Sequence, residues 1–157
     1  KMAEYTYDVL EKYGPVAVED NRHHKETKAL EDVTFINIAV TGVIANITKS
    51  FSQSALGHMM YDGVRTFFTQ EAKDALHGEI VAVALFTQLY YNKLSEQKEQ
   101  LKEFMRGMDM PLTLEELGVP CTEKNLKTLE DYLIDSPYVD PSPESLALLH
   151  EAMKQMQ

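Results

Sequence analysis

Glycine is scarce, with 7 in 157 residues, and no G-x-G-x-x-G or G-x-x-x-x-G-K-[ST] run occurs. The chain therefore has no phosphate-cradling loop of its own. Cysteine is nearly absent: the lone Cys121 excludes an internal disulfide and fits a reducing cytoplasm. Basic residues are outnumbered, 15 Lys and Arg against 25 Asp and Glu, for a formal net charge of -10. That balance opposes nucleic acid and anionic lipid, since a phosphate footprint needs clustered cations. No apolar run approaches a membrane span. Nothing at the amino end reads as a signal peptide, because Lys1 and Met2 lead straight into an amphipathic pattern. The expectation is a cytoplasmic protein with no nucleic-acid or membrane partner.

What is present is a helical pattern almost throughout, 44% hydrophobic and long enough for one core, so residues 1–157 read as a single domain. Met2, Tyr5, Val9, Leu10 and Tyr13 recur at helical spacing in a first helix over 2–23, which Gly14-Pro15 interrupts or kinks. The stretch "VTFINIAVTGVIANI" is rich in β-branched residues, yet it is too long for one strand. Phe35, Ile38, Ala39, Gly42, Ala45 and Asn46 recur at three and four, which predicts a buried helix over about 28–47. A third helix covers about 53–68, with Leu56, Met59, Met60, Val64 and Phe67 as its stripe. The fourth, about 76–94, holds "IVAVALFTQLYY", apolar on nearly every side, and should be central to the bundle. Ser95 can cap a fifth helix to about Met108. Thr113-Leu114-Glu115-Glu116 forms a capping box, Thr122 can cap a helix through Ile134, and Ser142-Pro143 starts the last one. Seven or eight helices and no convincing strand predict an all-α bundle.

The unusual feature is "SQSALGHMMYDG" over 52–63, where His58 interrupts small and apolar residues and Asp62 follows one turn later. His58 reads either as a core-edge histidine bonded to a carbonyl or to Asp62, or as a ligand. His77, in "DALHGEIV", opens the fourth helix with Asp74 as a possible cap. Could the two meet? From His58 to Phe68 a helix rises about 15 Å. The eight residues Thr69 to Leu76 reach back at most about 27 Å. The spacing permits a two-histidine site between adjacent helices without requiring one. A catalytic zinc or iron takes three protein ligands and keeps an open position; Asp62 is one candidate for the third. His23-His24 point in different directions on a helix and read as solvated, as does His150. Ser95 to Gln100 reads as a solvated charged face.

The order of "YDVLEKYGPVAV", a buried helix, "SALGHMMYDG", "ALHGEIVAVALFTQL" and "MPLTLEELGV" closely resembles the carboxy-terminal helical domain of the glycerol dehydrogenase-like, iron- or zinc-containing alcohol dehydrogenases. The resemblance covers about Tyr5 to Gly118. It implies an all-helical metal domain of the dehydroquinate synthase-like type that partners an amino-terminal dinucleotide-binding domain. It places the two metal-binding histidines on His58 and His77. It also implies a third ligand, an aspartate, upstream of Lys1, so the chain looks like a fragment: helical metal-binding domain present, nucleotide domain absent, and inactive alone. The family often carries a second histidine three residues after the first; here that position is Tyr61. Tyr61 and Phe51 are the substrate-side candidates, and the chain holds no cofactor-binding residue of its own.

For the intact protein the resemblance implies an NAD-dependent dehydrogenase, a homo-oligomer, acting on a small alcohol, a glycerol-like polyol or a hydroxy acid. Zn²⁺ or Fe²⁺ would polarise the substrate hydroxyl, and hydride would pass to NAD. The rival class is a non-catalytic helical interaction or regulatory module with structural histidines. In that case the two rings would lie apart and face packed neighbours. A dehydroquinate synthase-like activity is disfavoured by the lack of a basic, phosphate-directed cluster near the histidines.

Overall fold

A computed structural model describes residues 1–48 and 55–157. Among the described residues there is no strand. The helices group into two compact units, Lys1–Gln53 and Ser54–Gln157, where the sequence alone treats the chain as one domain.

In the first unit, α1 runs from Met2 to Arg22 and passes through Pro15 without ending there. The Thr27 hydroxyl links α1 to α2 (Lys28–Phe35): it accepts from the Leu30 N–H at 3.3 Å and donates to the Asp20 carboxylate at 2.6 Å. A π-helical turn, Ile36–Val40, carries α2 into α3 (Thr41–Thr48), and the Thr41 hydroxyl donates to the Ile36 carbonyl at 3.0 Å. The helical reading of 28–47 is right, but its expected burial is corrected. Ile36 is buried, while Phe35, Ile38 and Ile47 are 63%, 74% and 69% exposed. A helix apolar on several sides needs several neighbours, and within this unit only α1 packs against the run. The run Lys28–Ile47 is also long and apolar enough to cross a bilayer by length and composition, so the expectation that no segment approaches a span is corrected too.

The second unit holds a dense core. In α4 (Leu56–Phe67), Leu56, Met60 and Val64 form the buried stripe, four residues apart. The start expected for this helix, Gln53, lies outside the described residues. α5 (His77–Tyr91) is central as expected, packing on α4, on α6 (Ser95–Arg106), on α8 (Pro143–Met153) and on a closing 3₁₀ turn, Lys154–Met156. Ile80, Val83, Ala84 and Phe86 of α5 are all buried. Between α6 and α8 lies α7 (Glu123–Ile134), which packs on α4 through Leu129 and Tyr132, both close to Gly63. The Phe67 and Tyr132 rings meet edge-on, 5.7 Å between centres.

Local capping follows the sequence at three places. The Thr122 hydroxyl accepts from the Asn125 N–H at 3.2 Å, and Ser142 accepts from the Ser145 N–H at 3.4 Å, with Pro143 at the first helical position. At the predicted capping box, Thr113 accepts from the Glu116 N–H at 3.2 Å, and the Glu116 carboxylate accepts from the Leu112 N–H at 2.6 Å. Ser95 is a correction: it is the first helical residue of α6, with Leu94 in the cap position and no side-chain cap bond.

The turn after Glu116 braces the α4–α5 loop. Gly118 has φ +91°, and a Cβ there would fall inside the van der Waals radius of the Glu71 carbonyl oxygen. Only glycine satisfies both conditions. Gly118→Ala should cost about 2–4 kcal/mol, from backbone strain and displacement of Glu71 together. Urea denaturation of the two proteins measures it; an unchanged midpoint would rule out the close approach.

Candidate metal centre

α4 and α5 run antiparallel. Gly57, near the start of α4, faces Val81, Leu85 and Gln88 of α5. Further along, Arg65 reaches back to the residues that precede α5. Gly57 is buried, and the space over its Cα is already filled at contact distance by Gln88 and Leu85, so the two helices approach closely there. Its N–H, one of the orphan donors at a helix start, donates to the Gln88 side-chain oxygen at 3.0 Å.

This pairing brings His58 and His77 together. Their ring centres are 6.0 Å apart with the planes tilted by 53°, and both residues are exposed. The Tyr61 ring lies against His77, 4.2 Å between centres. Tyr61 is half-buried. Below it, the Arg65 guanidinium sits 5.5 Å from the Tyr61 ring centre. Arg65 Nη1 donates to the Ala72 carbonyl at 2.8 Å, and Nη2 donates to the Ala75 carbonyl at 2.6 Å. His58, Tyr61 and Arg65 thus form one face of α4 at spacings of three and four, and His77 packs on the middle of it.

The donor set fits part of a divalent-metal site. Two imidazoles on one tetrahedral ion, with each nitrogen about 2.0–2.1 Å from it, hold their ring centres roughly 5 Å apart. The observed 6.0 Å separation is about 1 Å wider than that arrangement, and both residues are exposed. Among the described residues no third His, Cys, Asp or Glu joins the pair. Asp62 does not complete the set; the side chain that the next turn of α4 presents to His77 is Tyr61. Phe51, the other substrate-side candidate, lies outside the described residues.

The cap of α5 also differs from expectation. Asp74 does not cap it. The Glu79 carboxylate accepts from the Leu76 N–H at 2.7 Å, satisfying an orphan donor immediately before His77. Asp74 instead lines a groove of about 800 Å³ with Glu71, Glu79, Arg106, Asp109 and Glu116, which includes neither imidazole. The remaining histidines are placed as expected, at the surface. His23 Nε2 lies 2.8 Å from Glu19 Oε1, His24 takes a positive φ of 54°, and His150 Nδ1 lies 2.9 Å from Glu130 Oε2. Sequence reasoning missed Arg65 and Gln88. Arg65 was findable as the residue one turn beyond Tyr61 on the histidine face, but its acceptors in the loop were not.

The second unit brings one imidazole from each of two adjacent helices onto an exposed face, and comparisons with known proteins show what the chain is related to. No family model matches the chain. It is 31% identical over 116 residues to glycerol dehydrogenase 1 of Schizosaccharomyces pombe, a match covering 72% of this chain and 24% of that protein. Its fold matches the solved structure of the S. pombe glycerol dehydrogenase with a TM-score of 0.79 at 25% identity, over 98% of this chain and 39% of that one. A probable glycerol dehydrogenase from Sinorhizobium meliloti 1021 matches with a TM-score of 0.79 at 20% identity, over 99% and 43%. By sequence and fold, this chain is a homologue of the glycerol dehydrogenases, with the fold of their all-helical part. It spans less than half the length of each relative. The apolar run Lys28–Ile47 lies within the residues that these fold matches cover.

The cap at His77 is testable by itself. Glu79→Ala should lower stability by about 1 kcal/mol and speed amide exchange at the first turn of α5. Hydrogen exchange followed by NMR reads this directly, and unaltered protection at Gly78 and Glu79 would show that the carboxylate does not hold that turn.

Proposed function

We propose that the chain is the metal- and substrate-binding helical domain of an NAD-dependent dehydrogenase acting on a small alcohol, polyol or hydroxy acid. The observation that supports it most is the meeting of His58 and His77, 19 positions apart in sequence, on one open face. A packed interaction module with structural histidines would turn those rings apart toward packed neighbours.

In this reading His58 and His77 hold a Zn²⁺ or Fe²⁺ ion, and a carboxylate from outside the described residues completes the set. When bound, the ion supplies Lewis-acid polarisation of the substrate hydroxyl. The chain's own residues bind and orient. The two imidazoles fix where the reacting hydroxyl rests, and Tyr61 holds the His77 ring and borders the substrate side with its half-buried face. In a position where a histidine would offer a second ring nitrogen, Tyr61 offers a phenol hydroxyl. That difference bears on which alcohol is accepted. NAD(H) belongs to a nucleotide-binding domain, since no phosphate-cradling glycine run occurs in these residues.

The test joins this chain to the nucleotide-binding domain of a glycerol dehydrogenase homologue and measures NAD reduction with glycerol and related alcohols. Activity should be lost to chelator and restored by Zn²⁺ or Fe²⁺. His58→Ala and His77→Ala should each lower kcat/KM by at least about 100-fold, the scale on which loss of a ligand or its support acts. Full turnover in both variants would remove the histidines from the reaction.

A further inference from the structure

We propose that Arg65 is a positioning residue that sets the His77 ring against His58; for its consequence on metal binding this rests on the reading above. His77 is the first residue of α5 and follows a loop without regular helical hydrogen bonding. Nothing in helix geometry fixes such a ring relative to His58, unlike two histidines one turn apart on one helix. Its position must come from tertiary contacts, and Arg65 supplies two of them.

The first is through the backbone. The guanidinium fork donates separately to the Ala72 and Ala75 carbonyls, at 2.8 and 2.6 Å. Ala75 is two residues before His77. Charge-assisted bonds from one rigid plane to two carbonyls fix the direction of the loop as well as its distance. Ala72 is fully buried, so the inner bond anchors in the core. The second route is through side chains. The same guanidinium lies 5.5 Å from the centre of the Tyr61 ring, and that ring also packs on His77. A cation beneath an aromatic face favours one ring orientation. Arg65 therefore restrains the His77 backbone from behind and the His77 ring from the side, while touching neither histidine.

The arginine is specific to this role. A lysine carries the charge on a single point and cannot bridge two carbonyls in one plane. Arg65→Lys should keep the fold and lose the second loop bond. Arg65→Met keeps the stem and loses both bonds and the cation.

The experiment uses the 157-residue chain and Zn²⁺ alone as the probe. NMR reads the through-space contacts among the His58, Tyr61 and His77 rings in the metal-free protein. Titration calorimetry reads Zn²⁺ affinity, and circular dichroism verifies folding. In the wild type the Tyr61–His77 ring contact should be seen. In Arg65→Lys it should weaken or vanish, and Zn²⁺ affinity should fall about 10-fold or more, as for other residues that orient a ligand without binding the ion. Arg65→Met should exceed that loss; if Arg65→Met does not fold, Arg65→Lys decides alone. A folded Arg65→Lys protein with the wild-type ring contacts and affinity overturns the proposal, as does a wild type without the Tyr61–His77 contact. If the wild-type chain binds no Zn²⁺, two imidazoles do not hold the ion without the third ligand, and the Tyr61–His77 ring contact in Arg65→Lys alone decides the positioning role.

Discussion

The site depends on the close antiparallel packing of α4 on α5. At Gly57 the helices lie close enough that a bare Cβ would already be in van der Waals contact with Leu85 and Gln88. The Gln88 amide oxygen then satisfies the Gly57 N–H across the helix pair. At the far end, Arg65 donates to the carbonyls of Ala72 and Ala75 in the loop, the first of which also accepts from the Ala75 N–H at 3.1 Å. The Gly57 N–H is a group that a helix start leaves unpaired, and such groups are costly to bury unsatisfied. The pairing is thus favoured by the polar ends as well as by the apolar stripe of Leu56, Met60 and Val64. Bringing two distant imidazoles level is a consequence of this packing.

Much of this was legible in the sequence because it is local. Thr122 and Ser142 cap their helices as read, since a hydroxyl in a cap position bonds an N–H three residues on and needs nothing else. The apolar fourth helix is central because no face of it tolerates water. That His58 and His77 could meet followed from loop reach alone. That they do meet required the loop's tertiary bonds, which no periodicity encodes. The failures share one cause. Asp74 and Ser95 are good cap residues by type, but the cap position of α5 falls two residues after Asp74 and that of α6 one residue before Ser95. Cap preference says which residues can close a helix start; the path of the preceding loop decides which one does.

The run over Lys28–Ile47 shows a different limit. Its composition reads as a core helix, and its periodicity is helical as read, yet large apolar side chains on it face solvent. Burial is a property of a helix and its neighbours together, so sequence pattern predicts the demand for cover but not its supply. The π-helical turn Ile36–Val40 fits the same view. It widens the helix by one residue and rotates the apolar positions on either side relative to each other. One straight stripe thereby becomes two faces.

The geometry also bears on how such a site tolerates change. When two ligands lie one turn apart on one helix, the backbone hydrogen bonds of that helix fix their separation. Here they open two different helix segments, so the separation is only as exact as the loop between them. That loop is held from three sides: by Arg65 at Ala72 and Ala75, by the close approach of Gly118 to Glu71, and by Glu79 at Leu76. Arg65 and Glu79 lie on the helices that carry the two histidines, and Gly118 lies in a turn that carries neither. The relative placement of the two rings therefore depends also on the turn at 113–118, which is remote in sequence from both histidines. A site assembled across a loop spreads its positional requirement over whatever holds that loop still, and inspection of the ligands alone would miss most of it.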